Sequence, residues 1–446
     1  MNKIKNFRLV IICLTAFAGW YSCNNNANEK NVPPHDPDKA VELTRFFPDS
    51  GGIASKVLIE GVNFGNDTSS FSVFFNEKKA AVISVQGDKA YVLTPRLPGD
   101  TCVITVKAGD KTVASTHRFR YITQMTVTTI AGARGANGGK FKEGPLAQAA
   151  FANISGMCVD AAGNIFLAMK SDVGVCRVDV KGNQVTFITG NIGNSGSWNS
   201  GCVDPVTQIA YLISDANSLI LELNPSNLWV PRARTITHPT EEEIESGEKQ
   251  DFTISYTHSL AYNPVDSCLY TRQYQSGEII KINQRTYEAE CVHATGQGDQ
   301  PGSDSYLAFD PLDPNYIYLS YPNRHCIRRY NMTTKIFEPF ASAPTATGSW
   351  RDGPLNDAEF NTPRGIAFDQ DGILYVADRS NHCIRAINRQ GIVSTVAGVP
   401  RQWGTADGDP TTAGFDNPYM VAIDIEGNIW IGEDSNNRML RKLTIE

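Results

Sequence analysis

The sequence predicts an all-β protein in which an antiparallel β-sandwich is followed by a six-bladed β-propeller closed by an N-terminal strand. Three observations lead to this prediction: short alternating strands between residues 41 and 122, repeated four-strand units after residue 123, and a duplicated strand sequence at Val127–Gly132. The 446 residues include 37 glycines and 23 prolines, which favour turns. With 41% hydrophobic and 20% charged residues the chain can bury sizeable cores, so disorder over its bulk is excluded.

The first 22 residues are predicted to be a secretory signal peptide. Lys3, Lys5 and Arg8 precede an apolar run, Leu9–Gly19, that is too short to span a bilayer comfortably. No other stretch is continuously apolar, so a protein with many membrane spans is excluded. Residues 23–38 are polar, contain three prolines and lack apolar periodicity, which is typical of a flexible tether.

Cys23 follows the apolar run, with a small residue before it and a polar stretch after it. This arrangement resembles the cleavage box of bacterial lipoproteins. The resemblance implies that Cys23 becomes a lipidated N-terminus inserted in outer-membrane lipid, on the cell surface or the periplasmic face. Plain secretion and an uncleaved anchor are the alternatives.

Residues 39–122 are predicted to form the sandwich, because six or seven short strands are separated by turn residues, including a turn at Gly87-Asp88. The run Val57–Gly65, together with Pro48, Gly52 and the closing Phe119–Tyr121, resembles an IPT/TIG immunoglobulin-like domain. The resemblance implies a spacer without a site of its own.

Residues 123–446 are repetitive. Three stretches align almost residue for residue: 144–151, 353–360 and 408–415. The acid or amide that ends the first strand of each unit recurs every 44 to 59 residues, at Asp160, Asp204, Asn263, Asp310, Asp369 and Asp424. Four strands per unit and six units predict a six-bladed propeller.

The propeller is predicted to close on itself through an N-terminal strand. The last unit stops at Glu446 after three strands, while Val127–Gly132 duplicates the fourth-strand sequence Val393–Gly398. Pairing this segment with the last unit would remove two open sheet edges at once.

The segment Ser380–Arg385 resembles the name-giving part of an NHL repeat. The combination of a lipoprotein signal, an IPT/TIG domain and NHL repeats is similar to cell-envelope proteins of the Bacteroides type. This resemblance implies a role in glycan use, beside an outer-membrane uptake complex. His325 and His382 occupy equivalent repeat positions, so a structural role is predicted for both.

The eight cysteines beyond Cys13 and Cys23 are mostly at repeat-equivalent positions in hydrophobic strands. Equivalent positions imply equivalent burial, so most are predicted to be small core residues. Export also permits disulfides, and a bridge between Cys158 and Cys202 is the alternative.

Ligand contacts are predicted at the channel mouth, where each first strand begins. The candidate residues in that ring are Asn153, His258, Asp304, Tyr306, Arg364 and Tyr419. One histidine and one acid do not support a zinc site, so no metal or cofactor is predicted. A mixed site of His258, Asp304, Arg364 and Tyr419 is suited to acid–base chemistry on a sugar or lactone, but no catalytic residue is assigned.

Three tryptophans, Trp198, Trp350 and Trp403, lie in polar segments that lead into first strands. Large apolar rings are costly to leave in water, so each must pack or bind. One interpretation is that they fill gaps between blades. The other is that they stack against sugar rings.

The predicted function is non-catalytic recognition of a polysaccharide, an oligosaccharide or another extracellular ligand. A net charge of −7 makes the chain repel phosphate backbones, so nucleic acid is not expected as a partner. Two alternatives are a propeller hydrolase or lyase, and a protein-binding scaffold that uses an apolar blade surface or the inserted loop His238–Gln250.

Overall fold

The computed structural model describes residues 32–446 except 97–98, 171–173, 193–195, 294–301, 346 and 435–437. Cys23 and the proposed signal peptide lie outside these residues. The chain divides into two compact units, one up to Thr123 and one from Gln124. None of the helices in the described part of the chain combines the length and the apolar character needed to cross a membrane.

The described part of the first unit contains two β-sheets. One has the strand order β1-β3-β6 and the other β2-β8-β7-β4-β5. The strands are β1 (Glu42–Phe47), β2 (Ser50–Gly51), β3 (Lys56–Gly65), β4 (Phe71–Phe75), β5 (Lys78–Lys79), β6 (Ala81–Leu93), β7 (Thr101–Ala108) and β8 (Lys111–Tyr121). Alternate side chains of β4 and β7 are buried, as expected when one face of a sheet covers a core.

The turn predicted at Gly87-Asp88 is wrong. Strand β6 continues through both residues, and Gly87 lies opposite Gly65 of β3 where the pairing register shifts. Both glycines have positive φ angles, +83° at Gly65 and +64° at Gly87. Glycine tolerates this conformation without steric cost, so the pair bends a continuous ladder instead of reversing the chain.

The described part of the second unit contains six sheets built on four antiparallel strands each. The first four are β10-β11-β12-β13, β14-β15-β16-β17, β18-β19-β20-β21 and β22-β23-β24-β25. Their bounds are β10 (Ile154–Val159), β11 (Asn164–Met169), β12 (Gly174–Asp179), β13 (Gln184–Thr189), β14 (Trp198–Val203), β15 (Ala210–Ser214), β16 (Leu219–Leu223), β17 (Arg232–Thr235), β18 (Ala261–Asn263), β19 (Cys268–Arg272), β20 (Ile279–Asn283), β21 (Ala289–His293), β22 (Tyr306–Asp310), β23 (Asp313–Tyr321), β24 (Cys326–Asn331) and β25 (Ile336–Ala341).

The fifth sheet is β27-β28-β29-β30 with the short strand β26 added at its edge, and the sixth is β31-β32-β33-β9. The strands are β9 (Met125–Ala131), β26 (Gly353–Pro354), β27 (Pro363–Phe368), β28 (Leu374–Asp378), β29 (Cys383–Ile387), β30 (Ile392–Ala397), β31 (Pro418–Ile423), β32 (Ile429–Glu433) and β33 (Leu440–Ile445). The helices are short: α1 (Glu241–Glu245) and the 3-10 turns Ala136–Gly139, Leu146–Gln148, Pro225–Asn227, Pro322–Arg324 and Arg379–Asn381.

These sheets are arranged in a ring, as in a β-propeller. The first strands of successive sheets contact one another in chain order, and β31 of the sixth sheet contacts β10 of the first. Strand β9 is the fourth strand of the sixth sheet, with Val127 opposite Leu443 and Ala131 opposite Leu440. Strands β11 and β15 are buried along their whole length, because both faces of each sheet pack against neighbours.

The acids that recur after each first strand stabilise the turn to the second strand. The Oδ1 of Asp160 accepts a hydrogen bond from the backbone N–H of Asn164 at 2.8 Å. Asp369 accepts one from Ile373 at 2.9 Å, in the equivalent geometry. Side-chain oxygens that satisfy turn amides explain why an acid or amide recurs at this position.

His325 and His382 join neighbouring sheets. Both are in the left-handed region, at φ 56°, directly after a 3-10 turn. The Nδ1 of His325 accepts a hydrogen bond from the Thr362 amide at 2.9 Å, and that of His382 from the Asn417 amide at 3.1 Å. Each imidazole therefore fixes the segment that leads into the next first strand.

All eight cysteines in the described residues are free. Cys158 is buried and Cys202 is half-buried, and the two are not bridged. Burial raises the pKa of the Cys158 and Cys176 thiols, which keeps them protonated. Six of the eight are buried; Cys202 and Cys291 are the half-buried ones.

Candidate ligand-binding site at the mouth of the ring

One end of the ring, called the mouth below, is formed where first strands begin and second strands end. These positions meet because the two strands are antiparallel neighbours. Several polar side chains from different sheets converge there and are called the mouth cluster. They are Lys170 of the first sheet, His258 of the third, Asp304 and Tyr306 of the fourth, Arg364 and Arg379 of the fifth, and Tyr419 of the sixth.

Arg364 is the centre of the mouth cluster. Its Nη1 lies 2.9 Å from Asp304 Oδ2, 2.9 Å from the Tyr306 hydroxyl and 2.9 Å from the Tyr419 hydroxyl. The guanidinium also lies 4.6 Å from the centre of the Tyr419 ring. Only 16% of the Arg364 side chain is exposed, so these contacts hold one charged group in a single position.

Tyr306 and Tyr419 form the floor beneath Arg364. Both are almost fully buried, and the Tyr306 hydroxyl donates to that of Tyr419 at 3.0 Å. Lys170 Nζ donates to the Tyr419 hydroxyl at 3.1 Å. Burial, reinforced by the neighbouring Tyr419, raises the pKa of Tyr306 well above its usual value. The two hydroxyl groups connect Arg364 of the fifth sheet with Lys170 of the first.

His258 faces Asp304 on the other side of the cluster. Its Nε2 lies 3.3 Å from Asp304 Oδ1. Burial lowers the pKa of His258, although the Asp304 carboxylate opposes that shift. The imidazole is thus held in its neutral form near neutral pH, next to a carboxylate that is also paired with Arg364.

Cations converge in the mouth cluster. Three cations surround the Tyr419 ring, Arg364 at 4.6 Å, Lys170 at 5.3 Å and Arg379 at 6.0 Å from its centre. Asp304 and Asp434 supply the facing carboxylates, with Asp434 3.5 Å from Arg379. The Nε atoms of Arg364 and Arg379 are buried and have no hydrogen-bond partner among the described residues. The guanidiniums therefore keep unused donor capacity.

The three tryptophans do not join the mouth cluster. Trp198 is fully buried in the core of the first two sheets, and its Nε1 donates to the Gly190 carbonyl at 3.1 Å. Because no face of its indole reaches solvent, the proposed stacking role of Trp198 is wrong. The gap-filling interpretation fits this residue.

Trp350 and Trp403 lie near outer strands. The Trp350 Nε1 donates to the Thr395 hydroxyl at 3.1 Å, on the fourth strand of the fifth sheet. Trp403 is 58% exposed, with the Arg134 guanidinium 4.2 Å from its ring centre. Neither indole contacts the mouth cluster, so the predicted grouping of these rings with the first-strand residues is not observed.

Asn153 is at the mouth but is occupied by another contact. Its Oδ1 accepts a hydrogen bond from Arg438 Nε at 2.6 Å, which joins the first sheet to the last. Lys170 and Arg379 were not predicted. Both directly follow a second strand, and inspection of that position in every repeat would have found them.

A cavity of about 430 Å³ lies on the ring axis and is lined by first strands of all six sheets. Most of its wall is apolar, including Met157, Leu307, Ile366 and Met420. Tyr306 lines this cavity and also belongs to the mouth cluster. Across the described ranges, no group of three or more His, Cys, Asp or Glu side chains is placed to hold a metal ion.

Two family matches agree with the sequence resemblances. Residues 42–121 match the IPT/TIG domain, and residues 360–387 match the NHL repeat. Teneurin-m of Drosophila melanogaster is 37% identical over 105 residues, which cover 21% of this chain and 4% of that protein. NHL repeat-containing protein 2 of Bos taurus is 42% identical over 76 residues, or 17% of this chain and 10% of that protein. The chain thus spans a small part of these curated relatives.

Solved structures from Bacteroides share the fold. A structural genomics protein of unknown function from Bacteroides thetaiotaomicron superimposes with a TM-score of 0.81 at 24% identity, covering 93% of this chain and 100% of that one. An auxiliary nutrient binding protein from Bacteroides ovatus gives a TM-score of 0.60 at 22% identity, with coverage of 93% and 100%. The protein therefore carries an IPT/TIG domain and an NHL repeat, and shares its fold with Bacteroides propeller proteins.

Proposed function

We propose that residues 124–446 form a six-bladed propeller, closed by β9, whose mouth binds an acidic carbohydrate without catalysing a reaction. The six four-stranded sheets and the pairing of β9 with β33 support the blade count. The observation that carries the ligand assignment is the convergence of Lys170, Arg364 and Arg379 on one tyrosine ring.

The charge of the mouth argues for an anionic group on the ligand. The whole chain carries a net charge of −7, yet three cations converge on the Tyr419 ring, where Arg364 and Arg379 pair with Asp304 and Asp434. Guanidinium groups match carboxylates in planar, two-point hydrogen bonds. Tyrosine supplies both an apolar ring and a polar hydroxyl, which suits the mixed surface of a sugar.

The names of structural neighbours are consistent with capture of a nutrient. Two proteins that share the fold, from Bacteroides thetaiotaomicron and Bacteroides ovatus, are called auxiliary nutrient binding proteins. We therefore propose that this chain presents its ligand to an outer-membrane uptake complex.

A binding experiment with one matched variant tests the mouth assignment. The full chain is titrated calorimetrically with oligosaccharides that contain uronic acids and with the same oligosaccharides after carboxyl reduction. Arg364→Met should weaken binding of the acidic forms about 10- to 100-fold, as loss of a charged hydrogen bond worth about 1.5–3 kcal/mol predicts. Arg118→Met, on an exposed side chain of the first unit, is the control.

Two results would contradict the assignment. One is equal affinity for the acidic and the reduced oligosaccharides. The other is that the Arg364→Met variant binds the acidic oligosaccharides as tightly as the parent protein does.

We also propose that the protein is a lipoprotein anchored in the outer membrane through Cys23. The supporting observation is the basic segment and short apolar run immediately before Cys23. Cys23→Ala should abolish incorporation of labelled fatty acid and shift the protein out of the outer-membrane fraction. Unchanged labelling of that variant would refute the anchor.

His258 and Asp304 support a second candidate, acid–base catalysis on the bound sugar or lactone. A neutral imidazole 3.3 Å from a carboxylate, with the Tyr274 and Tyr306 rings packed beside it, is suited to move a proton. Chromatography of the oligosaccharides after incubation distinguishes the two functions. Reaction products that form with the parent protein but not with the His258→Gln variant would favour catalysis. Oligosaccharides that remain unchanged with the parent protein would favour binding alone.

A further inference from the structure

A second cleft lies between the second and third sheets, at the end of the ring opposite the mouth. It has a volume of about 410 Å³ and is called the side cleft. Asp204 and Val206, which follow first strand β14, form part of its wall, so the side cleft is separate from the mouth cluster. Three tyrosines provide much of the remaining wall: Tyr211, Tyr262 and Tyr287.

One buried polar atom in the side cleft lacks a protein partner. Gln284 is 9% exposed, and its Oε1 accepts no hydrogen bond from the described residues. Buried polar atoms are nearly always hydrogen-bonded in folded proteins, so this unpaired acceptor requires an explanation. Tyr211, which is 3% exposed, lines the same cleft.

The orientation of the Gln284 amide is fixed by its neighbour. The side chain hydrogen-bonds the Asp204 carboxylate. Only the amide nitrogen can donate to a carboxylate, which leaves Oε1 as an acceptor on the other side. A ligand that meets this atom must therefore supply an O–H or N–H group.

The charges of the side cleft are already balanced. Glu222 Oε2 accepts from Arg234 Nε at 2.9 Å and from the Tyr287 hydroxyl at 2.6 Å. Asp204 accepts from the Val206 amide at 2.9 Å and the Thr207 hydroxyl at 2.7 Å. Arg285 also lines the cleft, so two cations face two carboxylates and little net charge remains to attract an ion. Tyrosine rings and neutral hydrogen-bonding groups remain for the ligand.

We propose that the side cleft is a second carbohydrate site, which binds a neutral mono- or disaccharide. A ligand hydroxyl donates to Gln284 Oε1, and a second hydroxyl exchanges a hydrogen bond with Tyr211. The volume of the cleft falls within the range of about 300–1,000 Å³ that small-ligand sites occupy. This site is additional to the acidic-ligand site proposed at the mouth and does not depend on it.

Calorimetric titration of the full chain with glucose, galactose, mannose, maltose and cellobiose tests this proposal. At least one sugar should bind, and Gln284→Met and Tyr211→Phe should each weaken that binding about 10-fold, as loss of a ligand hydrogen bond predicts. Gln390→Met, on an exposed turn, is the matched control. Arg364→Met at the mouth should leave the affinity unchanged.

Thermal unfolding of every variant shows whether the fold is retained. Tyr211→Phe deletes one oxygen without changing the ring, so it tests the site even if Gln284→Met is less stable. The proposal would be overturned if none of the five sugars bound at millimolar concentration and in about 20-fold molar excess over the protein. Equal affinity of the parent protein and Tyr211→Phe would overturn it too. If Arg364→Met did not weaken the binding of acidic oligosaccharides, that result would contradict the assignment at the mouth but not the proposal for the side cleft.

Discussion

At the scale of single residues, position in the repeat was more informative than residue type. His258, Asp304, Arg364 and Tyr419 could be grouped from sequence because all stand near the start of a first strand, and the structure brings them together. Lys170 was missed, because it follows a second strand and does not stand near the start of a first strand. The exposure of an indole likewise depends on packing across sheets, which sequence spacing does not encode.

The tryptophans should differ strongly in their effect on stability. Trp198→Ala removes a fully buried ring, so we expect it to lower the free energy of unfolding by about 3–5 kcal/mol. Trp403→Ala removes an exposed ring whose main partner is Arg134, and the expected loss is below about 1 kcal/mol. Denaturant unfolding measures both. Similar losses for the two variants would contradict the observed burial.

Histidine burial predicts the pH dependence of stability. Burial lowers the pKa of His258, His325 and His382 in the folded state, whereas an unfolded histidine titrates near about 6.5. The unfolded chain then binds more protons below that pH, so the free energy of unfolding should fall as pH decreases from 7 to 5.

Replacing His258 by Gln should make this decline shallower. Denaturant unfolding at several pH values measures the slope, and His117→Gln, which removes an exposed imidazole, is the control. A slope in His258→Gln as steep as in the parent protein would show that His258 does not contribute.

At the scale of elements, a buried arginine binds the third strand of a sheet to the segment that leads into the first strand of the same sheet. Arg385 Nη1 lies 2.9 Å from Asp378, and its Nη2 lies 2.6 Å from Asp352. Asp352 also accepts from the Thr395 amide at 3.0 Å. The Asp352 carboxylate therefore joins the third and fourth strands of the fifth sheet. Sequence could not reveal this, because these partners are 33 and 43 residues away.

The sixth sheet repeats this arrangement with Arg441, Glu433 and Asp407. Arg441 and Glu433 are fully buried, so Arg441→Met should leave a buried carboxylate unpaired and cost about 3–5 kcal/mol of unfolding free energy. The double variant Arg441→Met, Glu433→Met should recover most of that loss, because no buried charge remains.

The exposed pair Arg351 and Glu359 provides the matched control. Their nitrogen–oxygen distance is 3.0 Å, but both side chains are substantially exposed. Arg351→Met should therefore cost less than about 1 kcal/mol. Two results would contradict the expected cost of an unpaired buried carboxylate. One is a loss of unfolding free energy in Arg441→Met as small as in Arg351→Met, and the other is a double variant less stable than Arg441→Met.

At the scale of the whole molecule, the sequence repeats made the ring of sheets predictable. The segments that differ between units could not be predicted in the same way. The six turn residues from Asp160 to Asp424 correspond to the turns after the first strands of six sheets. Helix α1 lies in a segment without an equivalent in every unit, so no repeat pattern predicted it, whereas β26 begins the repeated stretch 353–360. The duplicate of a fourth-strand sequence at Val127–Gly132 suggested a partner for the last unit because sheet edges must be paired, and β9 does pair with β33. This β9–β33 pairing is called the seam.

Cross-linking across the seam would test how much closure contributes to stability. Thr128 lies opposite Lys442 in the sixth sheet, and Ser394 lies opposite Ala386 at the equivalent place in the fifth. Cysteine pairs at these two places have matching geometry but close loops of about 315 and about 9 residues. In the chain-entropy description, the larger loop gives about 3 kcal/mol more stabilisation.

We therefore expect the oxidised Thr128→Cys, Lys442→Cys variant to gain more unfolding free energy than the oxidised Ser394→Cys, Ala386→Cys variant. Non-reducing mass analysis establishes that each bridge has formed, and the reduced forms correct for the substitutions themselves. The difference arises because, in the unfolded state, the seam bridge restrains almost the whole chain of the second unit, whereas the control bridge restrains the residues of one hairpin. Equal gains, or a seam pair that does not oxidise, would mean that β9 is not held against β33 in solution.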